Sequence, residues 1–244
     1  MAVSTNDRPV YPEPMKFETT VDEVIPRTHD TKSFRFKKPD GFDHLAGQWM
    51  YVTIRIDGNE RRKHFTISSS PTEGYLEFTK KIRDSEFSQA LGKLKGGEWA
   101  SLEGPYGSFY YDGQYPEIGF LSGGIGITPI RSICRFCTDK KLNTGIILLY
   151  ASKTPDDIVF REELESMEKA NPNINVKHVI SRDPDWQGLK GHIDSEMIRQ
   201  QIPDYRDRVF YICGPPAMND TLQKELKKLG LPEEKIKVEH FSGY

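Results

Sequence analysis

The chain has 244 residues with a formal net charge of −2; 36% of its residues are hydrophobic and 11% aromatic. That length suits two domains of about 100–150 residues each, and the balanced charge offers neither nucleic acid nor an anionic membrane surface a basic face to bind. No apolar run reaches the roughly 18 residues that a membrane span needs.

In chain order, residues 1–14 read as a Pro-interrupted tail, without the charged-then-apolar layout of a signal peptide. From residue 15 to 112 the apolar residues come in short alternating runs such as VTIRI (52–56), HFTI (64–67), YLEFT (75–79) and EWASL (98–102). Turn signals (PDG, DGN, PTEG, KGG) separate them, the pattern of an antiparallel barrel or sandwich. One segment, SEFSQALGKL (85–94), has helical spacing with Ser85 as its cap. Within this half the stretch KHFTISSSP (63–71) joins a cation, a ring and several hydroxyls. By composition it is either a half-buried strand running into a polar turn or a seat for a ligand that carries a phosphate and a flat ring.

After the turn-rich YYDGQYPE (110–117) the grammar changes, which sets the second domain at 113–244. Strand-like IGFLS, GIILLYA, INVKHVIS, RVFYIC and KIKVEHF alternate with helical PIRSICRFCTDKK, DDIVFREELESMEKA, DSEMIRQQI and PAMNDTLQKELKKLG. Such alternation indicates a parallel sheet covered on both faces. Between its first strand and helix lie Gly123, Gly124 and Gly126, then Thr128 as the expected N-cap and Pro129 as the first helical residue. Glycines let a backbone approach a pyrophosphate, and the helix N-terminus supplies free N–H groups. Asp156 and Asp157 are expected to cap the next helix. Cys134 and Cys137 form a C-x-x-C, but their helical spacing places them on an apolar face, so no metal site is expected. With Cys213 they make no disulfide framework, and the expected compartment is the reducing cytoplasm.

Five segments in order resemble the ferredoxin–NADP reductase superfamily: AGQW (46–49), KHFTISSSP (63–71), GGIGITP (123–129), YICGPPAM (211–218) and VEHF (238–241). The resemblance implies an antiparallel six-stranded flavin-binding β-barrel followed by a five-stranded parallel, doubly wound NAD(P)-binding domain. It implies FAD held by Lys63, His64, Phe65 and Thr66, with Phe65 against the ring, Thr66 near its N5 and Lys63 toward the phosphates. Lysine stands where the family has arginine, and Arg61 shares its strand face. Phe78, Thr79 and Lys80 would border the dinucleotide, and Phe87 and Ser88 would hold its phosphates, although the family's glycine before that helix is absent. From the residues alone, Thr79 and Lys80 are equally an exposed strand end.

The same resemblance sets Gly123, Gly124, Gly126, Thr128, Pro215 and Met218 at the nicotinamide nucleotide, with Cys213 and Gly214 beside its ring. By residue type alone, Cys213 is a small buried filler at a strand end. Glu239 would neighbour the nicotinamide, and Phe241, extended by Tyr244, would cover the flavin; Thr66, Cys213, Glu239 and Phe241 form the expected reaction centre. Ser152, Lys153, Ser181 and Arg182, with Lys190 and His192, fall at the ribose end. They favour NADPH over NADH, although Ser–Arg here also occurs in NADH users. The implied activity is an FAD-dependent NAD(P)H oxidoreductase passing electrons to a separate carrier such as ferredoxin, since the chain has too few cysteines for an iron–sulfur cluster. Two alternatives remain: a flavin or ferric reductase holding its flavin loosely, and an electron-transfer subunit of a larger complex.

Overall fold

The computed structural model describes residues 11–239. Two antiparallel sheets build the first half. One has the order β1 (Met15–Thr20), β7 (Trp99–Tyr106), β4 (Trp49–Ile56), β5 (Asn59–Thr66); the other has β2 (Glu23–Thr28), β3 (Thr31–Lys37), β6 (Tyr75–Lys81). Among the described residues seven strands stand where six were expected, because Val21–Asp22 divides the first extended run and sends β1 to one sheet and β2 to the other. Alternating inward residues, among them Phe34, Phe36, Met50, Val52, Ile54, Leu76 and Phe78, fill the space between the sheets. Helix α1 (Glu86–Lys93) closes one end through Phe87 and Leu91. Ser85 does occupy the N-cap position of α1, but makes no side-chain cap bond there.

The second half is a parallel sheet of order β11 (Leu189–Lys190), β10 (Ile174–Ile180), β9 (Gly145–Ser152), β8 (Glu117–Gly123), β12 (Val209–Cys213), β13 (Ile236–Glu239). The strand beyond the expected five is β11, two residues long and too short to leave a periodic signal. Helices α2 (Ile127–Asp139) and α3 (Arg161–Ala170) pack on one face against Phe120, Leu148 and Tyr211. Helices α4 (Ser195–Gln201) and α5 (Pro216–Lys228) cover the other against Leu121, Leu149 and Phe210. Burial on both faces explains why these strands read as continuous apolar runs. The strand order reverses between β8 and β12, the place where open α/β sheets bind ligands at the carboxyl ends of their strands.

Two helix starts differ from expectation. Gly124–Gly126 already winds as a 3₁₀ turn, so α2 begins at Ile127 with Gly126 as its N-cap. Thr128 therefore lies inside the first turn, its hydroxyl donating to Ile125 O at 3.2 Å. Asp157 does not cap α3; its carboxylate accepts from Thr154 N and Oγ1 (3.1 and 2.8 Å) and closes a separate 3₁₀ turn at Pro155–Asp157. Cys134 and Cys137 are buried on the core face of α2.

A buried histidine ties the barrel's loops together. His44 donates from Nε2 to Ser69 O at 3.2 Å, which leaves Nδ1 unprotonated and without a hydrogen-bond partner. Burial pushes its imidazole down to about 4, only partly opposed by the Ser69 carbonyl. An unfolded chain titrates this group near 6.5. As pH falls the unfolded state therefore takes up the proton first, and stability is lost progressively between about 6.5 and 4. This group alone should account for about 3 kcal/mol. His44→Gln should flatten that limb, measured as urea midpoints at pH 7 and pH 4.5 for variant and parent; identical slopes would refute the assignment.

Candidate active site

A cleft of about 720 Å³ opens between the edge strands β5 and β6, walled by α1 below and reaching Ile125 and Thr128 of the glycine turn. Strand pairing explains which side chains meet there. Phe65 lies opposite the inward Met50 and Lys63 opposite Val52, so Arg61, Lys63 and Phe65 share one face of β5. His64 and Thr66 lie on the other face, opposite Tyr51 and Trp49, and His64 packs on the Trp49 ring with centroids 5.2 Å apart. Because β5 is an edge strand, the residues of both its faces reach the cleft.

The ring end of the cleft is apolar and firmly backed. Phe65 stacks on Phe78 with centroids 4.7 Å apart, and Phe87 follows at 6.0 Å. Phe78 itself is fully buried against Phe34 and Phe36 and forms no part of the cleft wall. It supports Phe65 from within the barrel, which corrects the expectation that it borders a ligand. Thr79 reaches the wall, but its hydroxyl is shared with Ser33 Oγ (2.7 Å) and Ser68 Oγ (3.0 Å).

The other end is cationic. Arg61, Arg62, Lys63, Lys80 and Arg83 line it against one carboxylate among the wall residues, Glu86. Burial, then neighbouring Arg83, lowers the Lys80 ammonium below the usual lysine range; burial and Lys63 lower His64 in the same way. The N-terminus of α1 points into this end, with Ser88 buried and its Oγ accepting from Arg83 N at 2.7 Å. Ser88 thus shapes the turn that carries Arg83, a wall residue that sequence reasoning missed although a cation just ahead of a helix start signals an anion site. Arg62 is drawn aside by Glu103 at 2.8 Å and by the Tyr51 ring at 3.6 Å.

At the switch point of the parallel sheet the glycines are needed for close approach. A Cβ on Gly126 would lie 2.1 Å from Cys213 O, and one on Gly123 would lie 2.3 Å from Met218 Sδ. Gly124 is left-handed (φ 54°), and its carbonyl accepts from the buried Tyr150 hydroxyl at 2.9 Å, an anchor that the sequence did not reveal. Cys213 is buried, and burial, then Glu239, raises its thiol well above the ordinary value, so it is a neutral group at physiological pH. Gly214 is buried beside it, Pro215 is exposed, and Glu239 lies opposite Cys213 with its carbonyl held by Asn219 Nδ2 at 2.8 Å. Phe241 and Tyr244 lie outside the described residues.

The residues expected at the ribose end also converge. Ser181 N donates to Ser152 O (3.1 Å) and Arg182 N to Lys153 O (2.8 Å), which sets Lys153 and Arg182 side by side at the ends of β9 and β10, both exposed. Lys190 instead donates to Pro184 O at 2.6 Å, and His192 is exposed beyond β11. No helix among the described residues is long and apolar enough to cross a membrane.

Comparison with known proteins matches both halves to known domain families. Residues 18–111 match the oxidoreductase FAD-binding domain family and residues 120–224 the oxidoreductase NAD-binding domain family. The chain is 31% identical to the glycine betaine monooxygenase reductase subunit of Chromohalobacter salexigens over 91% of its own length and 63% of the relative's. It is 31% identical to NADH-cytochrome b5 reductase 2 of Gallus gallus, covering 84% of this chain and 80% of that one. The cytochrome b5 reductase domain of Ulva prolifera nitrate reductase superposes with a TM-score of 0.79 at 25% identity, over 92% of this chain and 97% of that domain. With both domain families matched in order and the fold shared, the chain belongs to the ferredoxin–NADP reductase superfamily and is an oxidoreductase that binds FAD and a nicotinamide nucleotide.

Proposed function

We propose that this chain takes reducing equivalents from NADPH onto FAD and delivers electrons singly to a separate carrier protein, such as a ferredoxin or a cytochrome b5-like haem protein. The observation that carries the reading is the single cleft in which an aromatic-backed ring seat, a cationic end and the glycine turn meet. When bound, the flavin would supply an acceptor for hydride from the nicotinamide that can give up electrons one at a time. The protein's own part is geometric and electrostatic. Phe65, backed by Phe78, gives the ring a flat apolar floor, and Thr66 sets the hydroxyl at its edge. Lys63, Arg83 and the N-terminus of α1 receive the pyrophosphate, which favours FAD over FMN. Gly123, Gly124 and Gly126 admit the nucleotide against the strand ends, while the neutral Cys213 packs beside the nicotinamide without reacting.

Two relatives are named as a monooxygenase reductase subunit and a cytochrome b5 reductase, which supports a protein acceptor outside the chain. The three buried free thiols fit a reducing compartment, the cytoplasm. Purified protein should be yellow with one FAD per chain and should bleach anaerobically with NADPH; a colourless protein that takes up no added FAD would sink the proposal. Lys63 is exposed and presents a point charge where a bidentate fork would grip harder, which favours a second reading, a reductase that releases its flavin. The flavin dissociation constant separates the two.

The preference for NADPH rests on Lys153 and Arg182, exposed together where a carboxylate would select NADH. Arg182→Ala should lower kcat/KM for NADPH about 10-fold and leave NADH within about twofold. Equal losses for both nucleotides would remove the assignment.

A further inference from the structure

The serine run that follows the flavin seat is held by the other half of the molecule. Arg131, five residues after Gly126 on α2 and 1% exposed, donates from Nη1 to Ser68 O at 3.2 Å. Its neighbour Ser132 donates from Oγ to Ser69 O at 2.7 Å. At the far end of the same helix, Asp139 accepts from Thr72 Oγ1 at 2.6 Å. One face of α2 is thus bonded along residues 68–72, immediately after Thr66, which ends β5.

The guanidinium at the centre of this contact is fully committed. Both oxygens of Glu73, from the barrel, accept from it, and Glu163 of α3 accepts from Nε at 2.8 Å. Burial alone would lower its basicity, but the two carboxylates outweigh burial and hold it above the usual arginine value. Arg27 of the barrel completes the bridge, reaching Glu163 at 2.6 Å and Glu77 at 3.0 Å. Phe160 forms the floor, its ring 4.8 Å from the Arg27 guanidinium and 5.7 Å from that of Arg131. A left-handed backbone at a phenylalanine (φ 62°) is costly and persists only where the surroundings dictate it.

We propose that Arg131 and Ser132 are positioning residues that fix the glycine turn relative to the flavin seat, and so set the distance over which hydride passes. The proposal rests on the flavin–nicotinamide reading above. The helix that opens at the glycine turn is the same helix that grips the carbonyls two and three residues beyond Thr66, so its first turn and the seat cannot shift independently. Hydride transfer depends steeply on such placement, since a misplacement of about 1 Å can cost about 100-fold.

The test is anaerobic stopped-flow reduction at saturating NADPH for the full chain and for Arg131→Gln, Arg131→Lys and Ser132→Ala. In Arg131→Gln the FAD content and the nucleotide Kd should stay within about twofold, while the reduction rate falls about 10-fold or more. Ser132→Ala should show a smaller loss of the same kind, and Arg131→Lys a partial recovery, because lysine keeps the charge and loses the fork. The primary isotope effect with nicotinamide deuterated at the transferred position should rise in each, with ferricyanide reoxidation unchanged. A variant of lower melting temperature whose flavin-bound fraction reduces at the parent rate and isotope effect would overturn the proposal. If Arg131→Gln does not fold, an unchanged rate and isotope effect in Ser132→Ala overturns it alone. A parent protein bleached by neither NADPH nor NADH rejects the functional reading itself, and the positioning role with it.

Discussion

Gly126→Ala is expected to slow nicotinamide-driven reduction severely while leaving the flavin in place. The residue has ordinary helical backbone (φ −60°), so conformational freedom is not why glycine stands there. The reason is contact: an added Cβ would fall 2.1 Å from Cys213 O, 2.5 Å from its carbonyl carbon and 2.8 Å from Gly214 N. All three are backbone atoms, and no side chain can swing aside. Either the glycine turn or the end of β12 must move by more than an ångström, and both border the expected nicotinamide position. The overpacking should cost about 3 kcal/mol, which for a chain of this size is a fall of about 6–12 °C in Tm. The rate of anaerobic flavin reduction should fall about 100-fold or more. At Gly124 an added Cβ meets no protein atom within 4 Å, so the stability of Gly124→Ala should fall only by the cost of a left-handed backbone, about 1 kcal/mol. A parent-like reduction rate in Gly126→Ala would show that the turn does not hold the nucleotide.

Glu77→Ala should be the most destabilising single change in the barrel. The carboxylate is wholly buried on β6 and accepts from Arg35 Nε (2.8 Å), Arg27 Nη2 (3.0 Å) and Ser68 Oγ (3.1 Å). Truncating it takes the shared buried carboxylate from two guanidiniums, 12% and 25% exposed, and leaves them only the more exposed Glu163 and Glu23. Breaking a buried pair from one side costs about 3–5 kcal/mol. The loss should appear as a lower urea midpoint with an unchanged slope, and added salt should not restore it, because the partners are shielded from solvent. A change under about 1 kcal/mol would mean that water reaches the site and solvates the arginines.

Much of this molecule is legible from single residues. The split between short alternating runs and long apolar ones gave the two halves, because a strand with one wet face and a strand buried on both leave different periodicities. The glycine string, flanked by a strand and a helix, marked the switch point. Spacing failed where a tertiary contact overruled local preference. Thr128 and Pro129 look like a helix start, yet the 3₁₀ turn before them is already wound and moves the start ahead. Asp157 looks like a cap for α3, but Thr154 is nearer and takes it. Phe78 resembles a ligand-bordering ring, yet the pleat turns it inward, one layer beneath Phe65. Arg131 gave no signal at all: an arginine on an otherwise apolar helix face explains itself only once Glu73 and Glu163, 58 and 32 residues away, close on it.

The walls of the cleft have a consequence for the order in which the enzyme is made. Every wall residue except Ile125 and Thr128 precedes residue 112, so most of the cleft is assembled from chain that leaves the ribosome before the second half. Domains fold in that order during synthesis, at about 5–20 residues per second. Reaching residue 239 from residue 112 then leaves several seconds at least in which flavin can load onto a nascent barrel still open on its nicotinamide side. A flavin loading in that interval would not have to pass the glycine turn, which arrives later with Ile125 and Thr128 to close the remaining wall.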